Sequence, residues 1–259
     1  MGIVNATPDS FYDGNPQNNL AALLKKCADY LAEGADILDI GGESTRPGAT
    51  PVSAEEELAR VLPLIQAAHA RWPQVPLSLD TVKIPVAEQG LACGVSIIND
   101  VSGTPDPEMF QLVKKHNTQI VITHSRGTPQ TMQTLTNYTD LLAEVKDFLA
   151  QKIAQAHACG LDDTQIIIDP GFGFAKTREQ NYTLLKHLPA FKTLGVRVLV
   201  GVSRKTFLAQ KRELPPKRKA QTLAAQLVAL QGGADILRVH DVRDTKKVLD
   251  FYTELEAAK

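Results

Sequence analysis

Short apolar runs separated by longer stretches of helical spacing recur along the whole chain. β-Rich runs fall at residues 2–5, 36–40, 77–80, 96–99, 119–123, 165–169, 197–202 and 235–239. Between them lie amphipathic stretches at 20–31, 54–69, 140–157, 219–230 and 245–255, with shorter ones after Val82 and Pro107 and around 182–186. Runs such as Ile166-Ile167-Ile168 and Val198-Leu199-Val200 are apolar without alternation, as expected of strands covered on both faces. Strand alternating with helix predicts βαβ units and a parallel sheet. Eight such pairs within 259 residues is the arithmetic of an α/β fold of the (β/α)8 TIM-barrel type. A doubly wound open sheet would usually have fewer strands at this length. Gly34-Ala35-Asp36-Ile37-Leu38 recurs as Gly233-Ala234-Asp235-Ile236-Leu237, each reading as a helix-ending glycine followed by entry into a strand.

No linker or low-complexity tract divides the chain, so 1–259 reads as one domain. Lys and Arg total 28 against 29 Asp and Glu, which argues against a generally basic, nucleic-acid-binding surface. Residues 211–219 are locally basic but carry no interleaved aromatics, and read as a solvated loop ahead of a helix. Apolar stretches stop well short of the ~18 residues a membrane span needs. The N-terminus lacks the pattern of a secretory signal. Cys27, Cys93 and Cys159 are odd in number, far apart and set beside alanines. They read as small core fillers in a reducing compartment, the cytoplasm.

The chemistry is concentrated where the strand runs end, the face on which such barrels keep their active sites. In order these ends are Asn5, Asp39, Asp80, Asn99, Thr123-His124, Asp169, Ser203-Arg204-Lys205 and Arg238-Val239-His240. A lone strand-end Asp or Asn is ordinarily a cap or turn former. Eight converging ends predict a polar crater of interleaved carboxylates, amides and cations. The loops add Asn5-Ala6-Thr7-Pro8-Asp9-Ser10-Phe11-Tyr12-Asp13-Gly14, then Gly41-Gly42-Glu43-Ser44-Thr45-Arg46-Pro47-Gly48, then Pro170-Gly171-Phe172-Gly173-Phe174. Aromatic and arginine side chains in glycine-rich loops on a rigid scaffold point to binding.

These motifs, with Asp39-Ile40-Gly41-Gly42, Ser203-Arg204-Lys205 and Arg238-Val239-His240-Asp241, resemble those of the dihydropteroate synthase family of pterin-binding enzymes, in order from the first residue to Asp241. The resemblance implies a transferase of folate biosynthesis and a sulfonamide target. It would condense 6-hydroxymethyl-7,8-dihydropterin pyrophosphate with p-aminobenzoate, giving 7,8-dihydropteroate and pyrophosphate with Mg²⁺ present. It assigns Asp80, Asn99, Asp169, Lys205 and Arg238 to the pterin, and Asn5, Arg46, Arg238 and His240 to pyrophosphate. Phe11, Thr45, Arg46, Pro47, Phe174, Lys205 and Thr206 fall to p-aminobenzoate; Asn5, Asp13 and Asp39 to the metal. Asp80, Lys205, Arg238 and His240 carry the catalytic roles, and a homodimer through the later helices is implied.

The chain departs from the family at several places. It starts almost at its first strand, without the residues members usually carry ahead of it. Thr123 stands where a Met is common beside the pterin, Tyr12 and Asn15 replace smaller residues, and Thr206 replaces Ser. Two other readings share the pocket: a pterin-dependent methyltransferase, and a pterin-binding protein without turnover.

Overall fold

The structure, a computed structural model, describes residues 1–7, 16–44, 48–209 and 214–258. All eight expected strands form: β1 (Gly2–Asn5), β2 (Leu38–Gly41), β3 (Leu77–Asp80), β4 (Ile97–Asp100), β5 (Gln119–Thr123), β6 (Ile166–Asp169), β7 (Arg197–Val200) and β8 (Ile236–Leu237). They neighbour one another in chain order, and every pair is parallel. Gly2 also pairs with Val239, just beyond β8, so the sheet curls back onto its first strand. Two hydrogen bonds hold that seam, Ile3 N–H to Val239 O and Val239 N–H to Met1 O, both 2.9 Å. The fold is the TIM barrel that the alternation predicts.

The helices among the described residues are α1 (Pro16–Ala32), α2 (Ala54–Arg71), α3 (Ile84–Ala92), α4 (Pro107–Lys115), α5 (Leu141–Ala158), α6 (Arg178–Lys186), α7 (Pro189–Lys192), α8 (Lys219–Gln231) and α9 (Val242–Ala257). Several start on side-chain caps that the sequence supplies. Ser53 accepts from Glu56 N–H, Asp106 from Glu108 N–H ahead of Pro107, and Asp140 from Ala143 N–H. Thr177 and Gln180 form a capping box. The repeated Gly-Ala-Asp-Ile-Leu does mark helix ends. Gly34 and Gly233 sit at φ +94° and +89°, where a side chain would be strained. The single turn α7 was not signalled by the periodicity.

The uninterrupted apolar strands resolve into two alternating sets. Ile120, Ile122, Ile166, Ile168, Val198 and Val200 face the helices and join the main core. Val121, Ile167 and Leu199 face the bore, where they pack with Met1, Ile37, Ile97 and Ile236. Following the strand registers round the barrel stacks the bore in layers of four, drawn from alternate strands. Ile37, Ile97, Ile167 and Ile236 lie lowest, then Met1, Ser78, Val121 and Leu199. Above this plug come Asp39, Asn99, Asp169 and Arg238, and above them Ile3, Asp80, Thr123 and Gly201. The period of two along each strand therefore lifts a polar floor two residues above an apolar one.

The three cysteines are free. Cys27 is a core filler, whereas Cys93 and Cys159 are half-buried at the C-caps of α3 and α5. Part of the basic stretch, residues 211–213, lies outside the described residues. Its Arg218 corrects the expectation of a solvated loop, because it is buried and its guanidinium donates to Arg204 O at 2.9 Å.

Candidate active site

Arg238 organises the polar floor. Its Nε donates to Asp39 Oδ2 at 2.7 Å and its Nη2 to Asp80 Oδ2 at 2.6 Å. Asp39 is fully buried, and its other oxygen takes the Ser78 hydroxyl at 2.6 Å. Asp80 keeps Oδ1 buried and without a partner, as does the neighbouring Asn99 Nδ2. Burial pushes the Asp80 carboxyl well above the ordinary range while the Arg238 guanidinium pulls against it. The carboxylates in turn hold Arg238 charged against its own burial.

Asp169, across the floor, accepts Gly171 N–H on Oδ1 at 2.8 Å, and burial again raises its carboxyl. Its Oδ2 faces Gly201, where an added Cβ would lie 3.9 Å away. The loop after β6 is held from behind by Lys176, a buried lysine. Its ammonium reaches Gly171 O and Phe174 O at 3.0 Å and His124 Nδ1 at 2.9 Å. Burial pushes Lys176 down to about 7, and burial with that neighbouring charge takes His124 down to about 2. Gly171 is irreplaceable: at φ +78°, a Cβ there would sit 1.9 Å from His124 O. The loop carries Phe174 beneath Lys205, whose Nζ is 4.3 Å from the ring centroid.

The loops after β7 and β8 are joined by two consecutive residues on each side. Ser203 Oγ accepts His240 N–H at 3.1 Å and lies 3.0 Å from His240 Nδ1. The hydroxyl can donate to Nδ1 or accept from it, and in the first arrangement the ring proton stands on Nε2. Arg204 grips Asp241 with two bonds, Nε to Oδ2 at 2.9 Å and Nη2 to Oδ1 at 2.6 Å. Arg204 adopts φ +58°, uncommon for a residue with a side chain, and its own N–H donates to Thr222 Oγ1 at 3.1 Å. That twisted residue lies directly between Ser203 and Lys205.

A third anchor serves the loop after β2. Lys83, at the start of α3, joins Glu43 on that loop to the fully buried Glu57 of α2, and Arg60 donates to Gly42 O at 2.7 Å. A cavity of about 290 Å³ opens between these loops and the floor, lined by Glu57, Asp80, Val101, Ser125, Met132 and Phe174 among others. A larger depression of about 520 Å³ lies at the far end of the barrel. Its cations are already engaged, Lys192 with Asp235 at 2.6 Å and Arg197 with Thr164 O at 3.2 Å, so the chemistry belongs to the loop end.

The structure thus gathers Asn5, Asp39, Asp80, Asn99, Thr123, Asp169, Lys205, Arg238 and His240 at one end of the bore. Phe174 is buried at its edge, and Thr206 is exposed just after Lys205. Phe11, Asp13, Thr45, Arg46 and Pro47 lie outside the described residues. Three expectations change. His124 turns away from the bore, packing edge-on to Phe148 at 4.9 Å and holding Lys176. Asp39 is fully buried and each of its oxygens already accepts a protein donor, Ser78 on Oδ1 and Arg238 on Oδ2, so in this structure it is the partner of Arg238 and not an open carboxylate. His240 is not one of the cations: burial first, and then the nearby Arg204 and Arg238 charges, take its ring down to about 3.

Among the described residues no group of three or more His, Cys, Asp or Glu side chains is placed to enclose a metal. Asn5, half-buried at the end of β1, offers an amide oxygen. One hard oxygen donor suits Mg²⁺, which keeps most of its shell for water and phosphate oxygens. Sequence reading missed Ser203, Asp241, Lys83, Glu57 and Lys176 as supports. For Ser203 and Asp241 the signal was adjacency to assigned residues; for the others no pattern marks them.

A polar floor above an apolar plug, ringed by the loops after the strands, is the frame of this site, and the chain belongs to the pterin-binding enzyme family, whose model matches residues 1–240. Within that family its relatives include dihydropteroate synthases. The Synechocystis protein is 47% identical over 245 residues, covering 93% of this chain and 84% of that protein. The Xanthomonas albilineans enzyme solved with 4-aminobenzoic acid superposes with a TM-score of 0.93 at 44% identity, covering 100% of this chain and 93% of that one. The same enzyme in complex with 7,8-dihydropteroate gives 0.89 at 41%, covering 100% and 94%.

Proposed function

We propose that this chain is a transferase catalysing the dihydropteroate synthase reaction, joining 6-hydroxymethyl-7,8-dihydropterin pyrophosphate to p-aminobenzoate with release of pyrophosphate. The observation that carries the reading is the unpaired acceptor Asp80 Oδ1 and the unpaired donor Asn99 Nδ2, both buried on neighbouring strands of the bore, with Asp80 lining the cavity. A dihydropterin presents N8–H next to the bare N1, which matches them in kind. Farther along the same edge, Asp169 accepts from the exocyclic amine and N3–H, and Lys205 donates to the ring carbonyl. Each charge-assisted bond contributes about 1.5–3 kcal/mol, and a ring without this edge leaves buried groups unpaired.

Pyrophosphate sits toward the rim. Arg238 holds its charge there with Nε and Nη2 committed to carboxylates, so Nη1 is the part that faces the phosphate. His240 serves as a neutral donor through Nε2–H, and Arg46 adds a cation. Asn5, with Asp13 from the first loop, would hold Mg²⁺, which would supply charge neutralisation for the departing oxyanion. The C–O bond to pyrophosphate breaks with its electron pair leaving on the phosphate. Positive charge on the 6-methylene spreads into the ring, beside the Asp80 oxygen that Arg238 does not engage. The aniline nitrogen of p-aminobenzoate then forms the C–N bond and passes its proton to water or to the released pyrophosphate. Its ring packs against Phe174, the Lys205 stem, Phe11 and Pro47, with Thr45, Arg46 and Thr206 as polar contacts.

A homodimer is supported by exposed Tyr182 on α6, Val228 on α8, and Phe251 and Leu255 on α9. A cytoplasmic site is supported by the free thiols, and no described helix is long and apolar enough to cross a membrane. Sulfonamide sensitivity follows if the p-aminobenzoate site is as assigned. The test is pyrophosphate release by the purified protein. Release requiring both p-aminobenzoate and Mg²⁺, and lost in Asn5→Ala with the fold intact, is the expected result. Pterin binding without release would overturn it in favour of a binding protein, and methyl transfer from a methylated folate in favour of a methyltransferase.

A further inference from the structure

Thr123 is the last residue of β5, and its side chain faces the bore, since Val121 two residues earlier is part of the apolar plug. The residue is fully buried, yet its hydroxyl oxygen bonds to nothing in the protein. A hydroxyl removed from water without a partner is costly and is rarely left so in a folded interior. Asn99 and Asp169 lie in the layer just below, on the two flanking strands, and Thr123 is level in register with Asp169 itself. The bore therefore presents, in strand order, a carboxylate acceptor (Asp80), an amide donor (Asn99), this hydroxyl, and a second carboxylate (Asp169).

A 2-amino-4-oxo-7,8-dihydropteridine presents, in order along the matching edge, N8–H, N1, the exocyclic amine, N3–H and the carbonyl. Taking Asp80 with N8–H and Asn99 with N1 brings the amine opposite the gap between Asn99 and Asp169. An amine has two hydrogens, and Asp169 uses one of them. We propose that the Thr123 hydroxyl is a specificity contact, accepting the second N–H of that exocyclic amine and so reading the 2-amino group of the ring. This rests on the pterin reading of the site. Valine in its place fills the same volume but cannot accept, so the hydroxyl, not the shape, is what distinguishes a 2-amino ring from its 2-deamino counterpart.

The test uses Thr123→Val and Thr123→Ser in the full chain, titrated calorimetrically with 6-hydroxymethyl-7,8-dihydropterin and with the same dihydro ring lacking the 2-amino group. Thr123→Val should weaken the amino ring roughly three- to tenfold, the range of one net hydrogen bond, and leave the deamino ring unchanged. Thr123→Ser should restore the amino ring. The thermal midpoint of Thr123→Val with no ligand added should not fall, because no protein bond is lost. Equal weakening of both rings, no weakening of either, or a lowered midpoint overturns the assignment. Failure of the unsubstituted protein to bind either ring would instead overturn the pterin reading beneath it.

Discussion

Arg238 is the residue whose loss the structure makes most expensive. It contacts two carboxylates through hydrogen bonds of 2.6 and 2.7 Å, one of them on a fully buried aspartate and the other on one that is 7% exposed. Arg238→Met keeps an unbranched side chain but strands both charges in a low-dielectric bore. Breaking a buried ion pair from one side costs about 3–5 kcal/mol. Urea or guanidinium unfolding at pH 7.5 should show a loss of that order. The pH dependence has a definite sign. Burial already raises the Asp80 carboxyl against the pull of Arg238, so with the guanidinium gone its folded-state pKa stands further above the unfolded value of about 4. The folded variant therefore binds more protons than its unfolded chain, and its deficit shrinks as pH falls toward about 4. Arg238→Lys should lie between, because one ammonium cannot reproduce the forked contact. Adding Asp39→Asn and Asp80→Asn to Arg238→Met should recover much of the loss. A deficit below about 1 kcal/mol at pH 7.5, or one that is the same at both pH values, would show that the guanidinium is not the compensating charge described here.

Two further outcomes follow from the supports behind the site. The folded-state pKa of Lys176 is depressed to about 7 from 10.5, so between those values the unfolded chain holds a proton that the native protein has shed. Stability should rise with pH across that window, and Lys176→Met should flatten the rise in denaturation series; an unchanged slope would refute the buried-ammonium account. Arg204, at φ +58°, should tolerate Gly better than Ala: both lose the grip on Asp241, but only Ala keeps the cost of the left-handed turn, about 1 kcal/mol. Equal unfolding free energies for Arg204→Gly and Arg204→Ala would show the turn is unstrained.

Strand ends were legible because a period of two aims every second residue at the bore, so a polar residue set directly after an outward-facing apolar one must surface above the plug. That is how Asp80, Asn99 and Asp169 stand out, flanked as they are by Leu79, Ile98 and Ile168. What each meets there was not legible. Arg238 finds Asp39 and Asp80 across separations of 199 and 158 residues, set by how the sheet closes rather than by any local spacing. For the same reason Asp39 passed for a metal ligand, and His240 for a cation. Charge state depends on burial and on neighbours such as Arg204, neither visible in the letters Arg-Val-His. His124 was misplaced by one position of alternation, since Thr123 takes the inward place and its successor must point out. Lys176 carried no mark at all, being an ordinary lysine after a glycine-rich loop until three acceptors close around it.

The four isoleucines at the base of the bore turn the barrel into a well with a single mouth. Whatever rests on the polar floor descended past the rim and must climb out by the same route. A second reactant stacked above it acts as a stopper, so turnover is first in, last out. On the proposed assignment of the site, the heterocycle would arrive before its partner, and the joined product, whose buried half went down first, would leave after the diphosphate had cleared the way.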